Sequence, residues 1–295
     1  MAHPVYNQNL GLIGILAQSA PQEYTDCITF TGETSDFTLK ATYKEWNGTV
    51  EYSTDHNTWN VWNGGEITSV SGKLYLRGSG NTTFYTSNGA QFVLSAKAGC
   101  SGNLNTLLEY SNPPTTLSTE RCYFWMFYKC TNLTTAPELP ATMLSEFCYS
   151  GLFSYCTNLT SAPALPATTL ATYCYDNMFK NCTSLTTAPA LPATTLASDC
   201  YAYMFSGCTN LQTSPALPAT TLGSGCYKRM FYGCTAFKVS STQTGTYQHA
   251  WRIPTSGTIS SEPPSWNSNM LYSTGGTFTS NPSANTTYYV ENAPV

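Results

Sequence analysis

Residues 191–211 read LPATTLASDCYAYMFSGCTNL, and nearly the same string stands 26 residues earlier and again 26 residues later. Two cysteine series carry the register through five copies: Cys122, Cys148, Cys174, Cys200 and Cys226, then Cys130, Cys156, Cys182, Cys208 and Cys234. Neither series slips by a residue. A fixed period of this length marks supersecondary units that cannot bury their apolar faces alone and do so against the neighbouring copy. The expectation is a solenoid over residues 99–236.

Within one copy, the Thr-rich runs 159–163 and 165–170, limited by prolines, suit short strands. Parallel stacking places Thr134, Thr160, Thr186 and Gln212 in one column and Thr142, Thr168, Thr194 and Thr220 in another, about 4.8 Å apart. Residues 174–182 (CYDNMFKNC) contain no proline and space Cys174, Met178 and Cys182 as a helix would, which predicts one or two helical turns.

Outward from the array, residues 25–98 alternate in short runs, such as 49–53 (TVEYS), 73–77 (KLYLR) and 91–95 (QFVLS). Asn47-Gly48, Asn63-Gly64, Ser71-Gly72 and Asn88-Gly89 supply tight turns between them. A small β-sandwich is expected there. Gly99-Cys100 echoes the Gly-Cys-Thr-Asn-Leu of later copies and reads as a degenerate half-repeat. Residues 237–295 read as a β cap, with strands near 251–259, 270–278 and 286–290, because an uncapped array leaves strand edges in water.

The succession Met-Phe-x-Gly-Cys-Thr-Asn-Leu followed by Leu-Pro-x-Thr-Thr-Leu, as between Met204 and Leu222, resembles the BspA-like leucine-rich repeat. The resemblance covers residues 122–237. Cys stands where an Ile usually starts the return turn, and Leu117 precedes Cys122 by five residues where later copies use four, which marks the first copy as distorted. The order of front domain, linker near 103–108 and array also resembles proteins of gut bacteria and their phages. What the resemblance implies is a mainly β, adhesive surface protein.

Only 9% of residues are charged and the net charge is −4, with no block of Lys or Arg. That excludes the electrostatic footprint of a nucleic-acid binder and a polybasic membrane patch. The apolar run 10–17 has no Lys or Arg before it, as a signal peptide would, and is too short to span a membrane. LPATT is internal repeat sequence, not a sorting signal. Residues 1–24 are therefore expected to form an attachment arm, docking a virion or self-assembly partner through residues 1–22, with homo-oligomerisation open.

Catalytic and metal chemistry find no motif. C-x7-C is not a zinc knuckle, and His3, His56 and His249 lie outside the array. With intervening helical residues, Cys174 and Cys182 would stand about 12 Å apart. Cysteines of adjacent copies could come close, yet parallel side chains favour reduced core thiols, and no His or Lys accompanies them to make one reactive. A glycosidase needs two carboxylates facing each other across a cleft; Glu109, Glu120, Glu138, Glu146, Asp176 and Asp199 lie in or near the array, but none recurs with the period, and they read as solvated surface groups. No enzyme and no cofactor is expected.

Surface recognition remains. Between copies the positions that differ most precede the first Cys and follow it by two or three: Glu146 and Phe147, Thr172 and Tyr173, Ser198 and Asp199, then Asp176 and Asn177, Ala202 and Tyr203, Lys228 and Arg229. Variation on a rigid frame makes a binding face, and relaxed constraint on a solvated edge gives the same pattern. Tyr123, Tyr149, Tyr175, Tyr201 and Tyr227 follow the first Cys in every copy and either stack on sugars or seal the core. The functional expectation is a non-enzymatic structural and adhesive protein on a phage virion, binding bacterial-surface or mucosal glycan or protein ligands. The alternatives are a bacterial surface adhesin and a decoration protein without a ligand.

Overall fold

The computed structural model describes residues 27–295, so the arm expected over residues 1–24 lies outside the described residues. The described chain is mainly β: eleven short strands and a single 3-10 turn at Leu104–Leu107. In the front part, β1 (Ile28–Gly32), β2 (Thr38–Ala41), β3 (Thr49–Ser53), β4 (Asn60–Val61), β5 (Ile67–Thr68), β6 (Lys73–Ser79), β7 (Phe92–Leu94) and β8 (Ala98–Ser101) form two antiparallel sheets, ordered β4-β3-β6-β1-β8 and β5-β2-β7. Alternation decides which side is buried. Leu74 and Leu76 of β6 point inward while Lys73, Tyr75 and Arg77 do not, as the period of two requires. Trp46 stacks on Trp62 at 5.2 Å, and Phe92 meets Trp62 edge-on at 5.5 Å.

One carboxylate is built into this part. Glu45 is 6% exposed and accepts from the amides of Thr86 (3.0 Å) and Ser87 (2.7 Å), the Ser87 hydroxyl (3.0 Å) and the Thr86 hydroxyl. Burial works to raise its pKa, but the hydrogen bonds to Thr86 and Ser87 outweigh it and hold the group down at about 2. A lowered carboxylate pKa gives stability that is present above the ordinary glutamate value and is lost as pH falls from there towards about 2. Thermal melts across that range are expected to show the loss. Glu45→Gln should flatten it and cost about 1.5–3 kcal/mol at neutral pH, the usual worth of hydrogen bonds to a charged group.

The strand β8 joins the front sheet to the repeats. It pairs with β1 on one side, while the Ala98 amide donates to Asn132 O and the Thr134 amide to Ala98 O, each at 3.0 Å, on the other. It thus occupies the place of a preceding half-copy. The finer echo fails: the Cys100 amide donates to Thr135 O at 3.0 Å, so Cys100 lies beside Thr135 and not in register with Cys130.

Each repeat differs from the expected strand-plus-helix coil at two places. Residues 174–182 are not helical. From 173 to 181, every odd-numbered amide donates to the next copy, as Tyr175 to Cys200 O (3.0 Å) and Phe179 to Met204 O (2.9 Å). Every even-numbered amide from 174 to 182 donates three residues back, as Asp176 to Tyr173 O (3.2 Å) and Cys182 to Phe179 O (3.0 Å). The result is a run of consecutive turns, with Tyr173, Asn177 and Asn181 at φ of 56°, 54° and 58°. An apolar spacing of four fits a four-residue turn ribbon as well as a helix, and the left-handed residues decide for the ribbon. The Thr-rich runs form no strand. They give isolated parallel bridges such as Thr135–Ser161, Thr187–Thr213 and Thr195–Thr221, because the intervening prolines lack the amide a ladder needs. The threonine columns appear in part: Thr160 donates its amide to Thr134 O, and Thr220 to Thr194 O.

Inside, the copies build two ring columns. Tyr123, Tyr149, Tyr175, Tyr201 and Tyr227 stack at 5.8–6.0 Å, the first against Phe84 of the front part at 5.9 Å. Phe127, Phe153, Phe179, Phe205 and Phe231 stack at 5.5–5.7 Å. All twelve cysteines are buried. The second series explains its own residue type: Cys156, Cys182, Cys208 and Cys234 each donate S–H to the Phe carbonyl of the preceding copy at 3.0–3.1 Å. Burial pushes the Cys174 and Cys208 thiols up to about 12, which keeps them protonated and inert. One thiol in the front part does meet an imidazole, Cys27 Sγ to His56 Nε2 at 3.3 Å, a pair that a separation of 29 residues concealed.

The C-terminal part contains β9 (Val239–Ser240), β10 (His249–Arg252) and β11 (Thr287–Val290), an antiparallel sheet ordered β10-β11-β9. The strand expected over 270–278 is absent. Residues 266–274 instead form a sixth turn run: Tyr227, Arg229, Phe231 and Gly233 donate to the carbonyls of Trp266, Ser268, Met270 and Tyr272 at 2.7–3.1 Å. WNSNMLYST there matches CYKRMFYGC of the fifth copy position by position, displaced by an insertion that the strict period hides. Trp266 closes the tyrosine column edge-on at 6.0 Å, and Trp251 the phenylalanine column at 6.2 Å.

Candidate functional site

The turn runs have an inner and an outer side, and the sequence candidates divide between them. Tyr149, Tyr175, Tyr201 and Tyr227 are at most 1% exposed, inside the stacked column. This corrects the expectation that they contact a ligand: a ring covered on both faces by its neighbours offers none to a sugar, and of the two alternatives the core seal is the one seen. Tyr173, Asp176, Asn177, Asp199, Tyr203, Lys228 and Arg229 are half-buried on the outer side. The ribbon puts them there because the left-handed position before the first Cys and the two positions after the Tyr turn away from the ring columns.

Along the array these outer residues form three contiguous patches. Nearest the front part is an aromatic one. Phe124 stacks on Trp125 at 4.6 Å, Trp125 on Tyr128 at 5.2 Å, and Tyr128 meets Tyr155 edge-on at 5.7 Å. Phe147 stacks on Tyr173 at 4.7 Å, with the Arg121 guanidinium over Phe147 at 4.7 Å. Trp125 is 38% exposed and lies over the second copy, where a Cβ on Gly151 would fall 2.2 Å from the indole. Glycine at that position is therefore required by the indole, since Trp125, Asn177, Tyr203 and Arg229 all adopt the same left-handed φ with side chains.

The middle patch is acidic. Asp176 Oδ2 accepts from Asn177 Nδ2 (2.6 Å) and Ser150 Oγ (3.5 Å). Burial lifts its pKa to about 6, the Asn177 bond opposes the rise, and Asp199 adds to it. Asp199 in turn raises the Tyr173 phenol, by its charge first and by a hydrogen bond besides. Farther on, Tyr203 has Lys180, Lys228 and Arg229 over its ring at 5.4–5.9 Å, a cationic patch.

Phe124, Trp125 and Tyr128 were not singled out in the sequence. They occupy the columns of Asp176, Asn177 and Lys180, and the irregular Leu117–Cys122 spacing directed attention away from the first copy. Among the described residues no group of three or more His, Cys, Asp or Glu could hold a metal ion, and no helix is long and apolar enough to cross a membrane. No protein-family model, curated protein or solved structure matches this chain.

Proposed function

We propose that the repeats form a solenoid of the BspA-like kind and that the protein is a non-enzymatic structural and adhesive surface protein, displayed on a phage virion, whose turn face binds bacterial-surface or mucosal glycans. The front part serves as a β-sandwich base, and residues 1–22 attach the protein to its particle. The observation that carries this reading is the contrast between the two sides of one backbone ribbon. The inner side repeats Tyr, Phe and Cys, with Met or Leu between the Tyr and the Phe, whereas the outer side changes from aromatic to acidic to cationic within five copies. Half-buried rings beside a few polar groups are what a ligand surface needs.

The test is binding of the purified protein to mucin and to intact gut bacteria, with wild type set against a triple variant Trp125→Ala, Tyr173→Ala, Tyr203→Ala. The variant is expected to keep the wild-type melting temperature within a few degrees and to lose about tenfold or more of binding, since half-exposed aromatic anchors contribute about 1–2 kcal/mol each. Unchanged binding would place recognition elsewhere.

A further inference from the structure

The cationic patch gathers three positive charges on one ring. Lys180 Nζ, Lys228 Nζ and Arg229 Cζ lie 5.4, 5.9 and 5.6 Å from the centroid of Tyr203, so three of the chain's twelve Lys and Arg residues converge there. Like charges held this close repel one another. The ion pairs among the described residues are Arg77–Glu51, Arg121–Glu120 and Lys238–Glu291, and none of the three cations takes part in one. Lys180 does act on Asp176, whose charged form it favours. Lys228 and Arg229 remain. Guanidinium groups elsewhere in the protein are engaged: Arg77 donates to Glu51, and Arg252 to the carbonyls of Pro254 and Gly257. Arg229 Nε is instead buried with no hydrogen-bond partner among the described residues.

We propose that Lys228 and Arg229, beside the Tyr203 ring, bind the carboxylate or sulfate of an acidic sugar in a surface glycan. The inference rests on the glycan-binding reading of the turn face and names the sugar class. Charge complementarity selects an anion, and the surrounding rings select a sugar that carries it. The Arg229 guanidinium lies 5.6 Å from the Tyr203 ring and 5.4 Å from the Tyr232 ring, and Tyr232 stacks at 5.4 Å on Tyr272, which is 53% exposed. An inorganic anion uses the charges and leaves these rings idle, whereas an acidic pyranose uses both. A planar guanidinium beside an ammonium suits a carboxylate or a sulfate, each of which presents two or more oxygens. The two flanking rings also hold the guanidinium in place before the ligand arrives, so little side-chain freedom is lost on binding.

Binding of the full chain to three immobilised polymers, bearing lactose, sialyl-lactose and sulfo-lactose, tests the assignment. In 50 mM salt at least one of the two anionic polymers is expected to bind about tenfold or more tightly than the lactose polymer, and which of them does so identifies the oxyanion. The preference should shrink in 500 mM salt, where exposed charges are screened. The double variant Lys228→Gln, Arg229→Gln should keep the wild-type melting temperature within a few degrees and lose the preference. Lys40→Gln, which removes an exposed charge from β2 of the front part, should leave it intact. Equal binding of the three polymers, a preference that survives the double variant, or no binding of any of them overturns the anion assignment. Equal binding that is lost in Tyr203→Ala would leave the glycan reading standing, and the mucin assay judges that reading independently.

Discussion

Phe179→Ala is expected to destabilise the repeats by about 3–5 kcal/mol, the range for truncating a buried phenylalanine in a close-packed core. Phe179 is fully buried and stacked at 5.7 Å on both Phe153 and Phe205, so the truncation opens a cavity shared by three copies. Its carbonyl also anchors the Cys182 amide and the Cys208 thiol, each at 3.0 Å, and a shifted backbone would loosen both. Thr186→Ser, on an exposed column, should change stability by less than about 0.5 kcal/mol. Chemical denaturation of the two variants checks the ranking, and equal effects would mean that inside and outside have been exchanged.

Asn181 separates the turn ribbon from a helix by a second route. Its φ is 58° and its amide donates to Ser206 O at 2.8 Å. Proline can supply neither the angle nor the donor, so Asn181→Pro should cost about 3 kcal/mol or more. Glycine supplies both. Asn181→Gly is expected to be more stable than Asn181→Ala, the reverse of the order inside a helix, where glycine costs about 0.5–1 kcal/mol relative to alanine. Gly207 and Gly233 already stand in that column with φ of 77° and 72°. An alanine variant more stable than the glycine variant would return the segment to a helical geometry.

The period and the burial of the repeated residues were legible in the sequence because burial against a neighbouring copy constrains every copy alike. Cys, Tyr and Phe hold their places in all five copies for that reason, and only the Met position varies, to Leu152. The turn ribbon was not legible, since Cys174, Met178 and Cys182 recur every four residues and that spacing serves a helix equally. What distinguishes the ribbon is backbone handedness at Tyr173, Asn177 and Asn181, residue types that do not announce a positive φ together. The sixth run was hidden by the insertion after Phe237, although Asn267-Ser268-Asn269-Met270-Leu271 keeps the Met and a Phe-like residue in place. The outer position of Tyr173, Asp176, Asn177, Asp199, Tyr203, Lys228 and Arg229 was legible, because their types change from copy to copy. The column tyrosines stayed open between a sugar platform and a core seal because their recurrence alone does not say which way a ring points, and the Tyr149 and Tyr201 hydroxyls are buried without a hydrogen-bond partner among the described residues. Ring stacking along the column outweighs that loss, since each offset-stacked pair adds about 0.5–1.5 kcal/mol beyond burial.

Amide hydrogen exchange over residues 173–182 tests most directly the claim that successive copies lie against one another with their outer faces free. Isolated turns would protect only the even-numbered amides, which bond three residues back. Copies in contact also protect Tyr173, Tyr175, Asn177, Phe179 and Asn181, whose partners are Ser198, Cys200, Ala202, Met204 and Ser206 of the next copy. The expected result is slow exchange at all ten positions, with Phe179 among the slowest and protection recurring in the neighbouring copies. Fast exchange at the odd-numbered five, with the even-numbered five retained, would contradict the account.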